Sequence, residues 1–173
     1  GYNGKDSVTD QLLESLELLE YRGYDSAGLA TLNETTGKVK LRKCAGRVAD
    51  LRKICQNDKK ISTCGIGHTR WATHGGVNDV NAHPHRSGDV LLVHNGIVEN
   101  YEELIDHFML HKELKSQTDT EVVAAVLNKF YQGDPHEAIC KTVKYLKGTF
   151  ALVVMFVDQP EVIYAIRNVS PIV

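Results

Sequence analysis

Residue types able to do chemistry crowd into one stretch of this chain. Five of the eight histidines, His68, His74, His83, His85 and His94, fall there, interleaved with Arg70, Trp71, Thr73 and Asn95. Guanidinium, carboxamide and imidazole groups can grip an anion, donate to a developing negative charge or carry a proton. A plainer alternative is a polar loop laid over a buried strand, with the histidines as hydrogen-bonded spacers. A metal site would draw on His83 and His85 with His94 or His74. No H-E-x-x-H, paired cysteine or acidic cluster accompanies them, so no metal is expected. Cys44, Cys55, Cys64 and Cys140 form no C-x-x-C pair. They read as reduced, mostly buried thiols of a cytoplasmic protein.

The elements that must position these residues follow from pattern and punctuation. The 173 residues carry a net charge of −2, with 42% apolar and 24% charged residues, which suits one ordinary globular domain. That balance gives no basic footprint for nucleic acid, and no apolar run is long enough to span a bilayer. Val8, Leu12, Leu16 and Leu19 have helical spacing behind a cap at Asp6 or Ser7, with a stop at Gly23. Strands are predicted around Gly28–Leu32, Lys38–Arg42, Cys64–Thr69 and Asp89–His94, the last a continuous apolar run typical of a doubly buried strand. Val48, Leu51, Ile54 and Cys55 mark a short helix between them. Asn95-Gly96 predicts a sharp turn into Ile97-Val98. Helices are predicted over Tyr101–Lys112, over Thr120–Tyr131 with Thr118 or Asp119 as cap, and from Pro135 to about Leu146. Thr149–Val157 and Val162–Ile166 close the chain as a hairpin. Strands in hairpin pairs favour an antiparallel α+β domain over a doubly wound one. The chain starts at Gly1 without a methionine and ends on apolar Ile172 and Val173, which reads as a fragment truncated at both ends.

Five strings occur in order: YRGYDSAG (Tyr21–Gly28), GHTRWATHG (Gly67–Gly75), NAHPH (Asn81–His85), HNGIVEN (His94–Asn100) and TDTE (Thr118–Glu121). Together they closely resemble the glutaminase domain of the glutamine–fructose-6-phosphate aminotransferases, which are class II glutamine amidotransferases. The resemblance covers nearly all of residues 1–173. It implies an N-terminal-nucleophile hydrolase fold, a four-layer α/β/β/α sandwich of antiparallel sheets. It also implies hydrolysis of L-glutamine to L-glutamate and ammonia. The ammonia would pass to sugar isomerase domains of a longer, homo-oligomeric parent that makes glucosamine 6-phosphate. No cofactor, nucleic acid or membrane is implied.

The resemblance also assigns roles. The family nucleophile is a cysteine in a Cys-Gly-Ile-Val-Gly start, whose last glycine matches Gly1, so the nucleophile is not among these residues. The fragment as written is then expected to be inactive. A non-catalytic module binding glutamine or glutamate is the alternative. Asn95 and Gly96 match the oxyanion hole; by residue type alone they would be a simple hairpin turn. Arg22 matches a residue that orients the nucleophile, against a plain helix-end cation. Arg70 matches the grip on the substrate α-carboxylate, against a surface salt bridge. Asp119 matches the holder of the α-ammonium, against a helix cap. Thr73 and His74 match loop residues that close around substrate, His83 a residue of the substrate site, and Trp71 a gate on the ammonia path, against core packing. One departure is Val169, where the family has glycine in Arg-x-Gly-Ser-Pro; it leaves the local turn geometry open.

Overall fold

Side chains alternate across each strand, so every strand here must satisfy two different layers. The computed structural model describes residues 1–33, 35–58, 62–72 and 75–172. The elements run β1 (Tyr2–Asn3), α1 (Val8–Leu19), a 3-10 turn at Glu20–Arg22, β2 (Ser26–Leu32), β3 (Val39–Ala45), α2 (Val48–Cys55) and β4 (Cys64–Arg70). They continue with β5 (His85–Ser87), β6 (Val90–Val98), α3 (Tyr101–His107), α4 (Asp119–Phe130), α5 (Pro135–Val143), β7 (Gly148–Phe156) and β8 (Tyr164–Asn168). The strands form two antiparallel sheets, in the orders β1-β4-β2-β3 and β5-β6-β7-β8.

Three apolar clusters fix the stacking. Ala27 and Leu29 of β2 pack under Val8, Leu12 and Leu16 of α1 and under Val48 and Leu51 of α2. The alternate residues Ala30 and Leu32, with Cys64 and Ile66 of β4, meet Leu91, Val93 and Met155 of the second sheet. Val90, Leu92, Leu152 and Val154 face the other way, onto Val122, Val123 and Val126 of α4. The result is the four-layer α/β/β/α sandwich of the expected α+β class.

Three local expectations are corrected. Asn95-Gly96 makes no hairpin turn: β6 runs through it and pairs with β7 from Val90↔Phe156 to Val98↔Gly148. Gly96 has a φ of +127°, and a Cβ there would stand 2.1 Å from the Thr149 carbonyl oxygen, so the glycine serves a distortion inside a strand. The third helix stops at His107 rather than Lys112, because Met109 takes a φ of 54° and leaves helical geometry. The helix opened by Pro135 ends at Val143, with Asp134 accepting from the Glu137 N–H at 3.0 Å as its cap.

Four histidines gather around the loop that leads into β5. His68 of β4 stacks on His83 with ring centroids 4.5 Å apart, and His85 meets His83 edge-on at 5.0 Å. The His94 N–H donates to Nδ1 of His83 at 3.4 Å. Burial, reinforced by neighbouring imidazoles and Arg70, pushes His68 down to about 4 and His83 well below its ordinary range. Burial, with Lys43 next, lowers His85 to about 3. These rings are therefore neutral in the fold at neutral pH.

Two outcomes follow from this packing. In the unfolded chain each histidine titrates near its ordinary pKa, so below that pH the unfolded state binds more protons. Stability is complete above about pH 6.5 and is lost as pH falls toward the lowered folded values. The urea midpoint should fall between about pH 7 and 5.5, and fall less in His85→Gln; a pH-independent midpoint would contradict the buried neutral rings. Gly28 of β2 lets the His83 carbonyl approach so closely that a Cβ would lie 2.1 Å from it. Gly28→Ala should cost about 1–3 kcal/mol in the same assay, and a neutral effect would show that the loop yields freely.

Candidate active site

Arg70 ends β4 at an inward-facing position, two residues after His68, and is 5% exposed. A buried guanidinium needs acceptors. Its Nη1 donates to the Gly76 carbonyl at 3.4 Å and lies 3.9 Å from Oδ1 of Asp25. Asp25 is itself anchored, accepting from the Ser26 hydroxyl at 2.7 Å and from the Ala72 N–H. The Gly76 carbonyl is fixed in turn by the Asn81 Nδ2 at 2.8 Å, while Asn81 Oδ1 accepts from the Gln117 N–H at 2.9 Å. Asn81 thus ties the loop after β4 to the loop before α4.

Asp119 is the first residue of α4, 6% exposed. Thr118 is the cap, its hydroxyl accepting from the Glu121 N–H at 3.3 Å. That frees the Asp119 carboxylate from capping. Its Oδ2 accepts from the Val98 N–H at 2.8 Å, its Oδ1 from the Thr120 hydroxyl at 3.4 Å, and Nδ1 of His94 lies 3.6 Å away. Burial lowers His94, although the nearby Asp119 charge opposes this. A carboxylate at a helix N-terminus also gains from the positive end of the macrodipole.

One cavity of about 650 Å³ unites these groups. It is lined by Arg22, Arg70, Trp71, His83, Asn95, Gly96 and Asp119, which are all the described residues that the resemblance gave a role in the site. Thr73 and His74 lie outside the described residues. Asn95 belongs to the inward set of β6, alternating with Val93, and its carboxamide takes no hydrogen bond among the described residues. Arg22 closes the 3-10 turn after α1 and is exposed. Trp71 is 63% exposed, so it is no core residue; its ring meets Tyr24 edge-on at 5.8 Å. Gly1 also lines the cavity, and β1 pairs antiparallel with β4 through Tyr2↔Gly65 and Asn3↔Cys64.

The arrangement can do something specific. One buried cation and one buried anion line a cavity that also holds a carboxamide with no hydrogen-bond partner among the described residues. That suits a small zwitterion with a polar group beyond its charged end. Among the described residues no group of three or more His, Cys, Asp or Glu side chains is placed to hold a metal ion. Asp25, Asn81, His94 and Thr120 were given no role in the site by the resemblance. All four lie within the strings that were read there, which was the available signal.

The profile of the glutamine amidotransferase domain family matches residues 70–171. A glutamine–fructose-6-phosphate aminotransferase (isomerizing) of Clostridium perfringens is 44% identical over all of this chain, which spans 28% of that protein. One from Geobacillus kaustophilus is 47% identical over 99% of this chain and 29% of its own length. Among solved structures, the glutamine phosphoribosylpyrophosphate amidotransferase of Bacillus subtilis superposes with a TM-score of 0.73 at 25% identity, covering 90% of this chain and 34% of that one. The sandwich described above is the N-terminal-nucleophile hydrolase fold of such amidotransferases. The chain belongs to the glutamine amidotransferase domain family.

Proposed function

We propose that this domain hydrolyses L-glutamine to L-glutamate and ammonia. The observation that carries the reading is the shared cavity of Arg70, Asp119 and Asn95–Gly96. Arg70 grips the α-carboxylate in bidentate fashion, and Asp119 holds the α-ammonium. With both charges engaged, the side-chain amide extends toward Asn95. There the Asn95 amide and the Gly96 N–H stabilise the oxyanion as the carbonyl is attacked. Arg22 orients the nucleophile, Trp71 shields the path of departing ammonia, Thr73 and His74 close around the substrate, and His83 belongs to the substrate-binding set.

The nucleophile in this reading is a cysteine that the resemblance sets ahead of Gly1 in a longer parent chain. Sheet register supports it. Among the described residues β2 covers one edge of β4 fully, while β1 covers the other only at Cys64 and Gly65. Continuing the β1 register backward along that edge brings the family cysteine opposite Arg70, beside the cavity. Its thiolate forms a C–S bond to the amide carbon, and its own α-amine acts as base. The C–N bond breaks, the leaving nitrogen takes a proton, and water cleaves the thioester to release L-glutamate. In the parent, the ammonia passes to sugar isomerase domains that convert fructose 6-phosphate to glucosamine 6-phosphate. The short span of this chain along its curated relatives supports that part of the reading. A cytoplasmic, homo-oligomeric parent belongs to the same proposal. Among the described residues, no helix is long and apolar enough to cross a membrane.

Two substitutions in the full-length chain separate binding from chemistry. Arg70→Ala should weaken L-glutamate binding by at least about tenfold in calorimetry, through loss of a charge-assisted contact. Asn95→Ala should lower kcat for glutamine hydrolysis about a hundredfold with little change in KM. Unchanged affinity in the first, or normal turnover in the second, would remove that residue from its role.

A further inference from the structure

The hydrogens around Asp119 all run one way. The Thr120 hydroxyl is 3.4 Å from Oδ1 of Asp119 and 3.1 Å from Nδ1 of His94. A threonine hydroxyl owns a single hydrogen. If that hydrogen goes to the carboxylate, Thr120 Oγ1 must accept, and His94 must carry its proton on Nδ1. The opposite arrangement puts the proton on Nε2 of His94. That atom is buried with no partner among the described residues, so the arrangement would bury an unpaired N–H and leave Oδ1 of Asp119 without its hydroxyl donor. The first arrangement leaves only a bare ring nitrogen unpaired. The His94 ring is itself held: its side chain is 1% exposed, and its main-chain N–H is bonded to His83.

We propose that His94 is a positioning residue which, through the Thr120 hydroxyl, orients the Asp119 carboxylate toward the α-ammonium group of the substrate. The inference rests on the reading of the cavity given above. The chain runs from ring N–H to hydroxyl to carboxylate, with the Val98 N–H closing the other oxygen at 2.8 Å. The donors run toward Asp119, so the carboxylate keeps lone pairs for an incoming ammonium. Hydrogen bonds aligned in series polarise one another, which sharpens the direction in which the carboxylate accepts. The Asp119–His94–Thr120 group thereby selects an amino acid over the same acid without its amine.

The test is ligand selectivity, which a general loss of packing would not move. L-Glutamate and glutarate (the same diacid lacking the α-ammonium) are titrated by calorimetry into the full-length chain. The series comprises the unaltered protein and His94→Leu, His94→Asn, Thr120→Val, Thr120→Ser and Asp119→Asn. His94→Leu and Thr120→Val should weaken L-glutamate about tenfold and leave glutarate within about twofold. His94→Asn, which keeps a donor near the Nδ1 position, and Thr120→Ser should recover most of the loss. If His94→Leu does not fold, the Thr120 pair carries the test. Equal losses for both ligands, or none for either, would overturn the proposal. Asp119→Asn separates the two levels. If it abolishes the preference for L-glutamate while the His94 and Thr120 variants keep it, the positioning role fails and the reading of the cavity stands. If Asp119→Asn keeps the preference, the reading itself fails and the positioning role with it.

Discussion

Two opposite charges, Arg70 and Asp119, are buried on the wall of one cavity, and each has its own support. An isolated charge in a low-dielectric interior is costly unless hydrogen bonds or a partner compensate it. Arg70 leans on the Gly76 carbonyl and lies near Asp25, while Asp119 takes the Val98 N–H and the Thr120 hydroxyl. Because the two come from different layers, one from a strand of the first sheet and one from a helix over the second, their separation is set by the fold. A cation and an anion kept apart in this way suit a molecule with the complementary pair.

The sandwich supplies that separation by pleat and register. Along β4 the inward positions are Cys64, Ile66, His68 and Arg70, so apolar packing gives way to polar groups toward one end of the strand. Along β6 the same change occurs between Val93 and Asn95. The two sheets therefore share a dry core at one end and a cavity at the other. A shift of one residue in either register would turn Arg70 or Asn95 out of the cavity. Neutral histidines line the transition, packing as rings without adding charge next to Arg70.

Much of this was legible in the residues, for identifiable reasons. Helix α4 declared itself through Thr118 at its cap and the apolar run behind it, and Asp134-Pro135 announced α5 in the same way. Alternation and turn residues located β2, β3 and β7. Asn95-Gly96 misled because a positive φ at glycine serves a tight turn and a strand distortion equally, and only the close Thr149 carbonyl distinguishes them. The ordered strings pointed to the cavity residues. They gave no hint of how Asp25, Asn81 and Thr120 support those residues, since such contacts join segments tens of residues apart. Periodicity and local punctuation carry no information about contacts of that range.

The most direct measurement is a structure of the full-length chain with L-glutamate bound. The ligand is expected with its α-carboxylate on the Arg70 guanidinium, its α-ammonium on the Asp119 carboxylate, and its side-chain carboxylate within hydrogen-bonding reach of Asn95 and Gly96. An empty cavity at saturating ligand, or a ligand seated with its amino end turned away from Asp119, would contradict the paired-charge receptor.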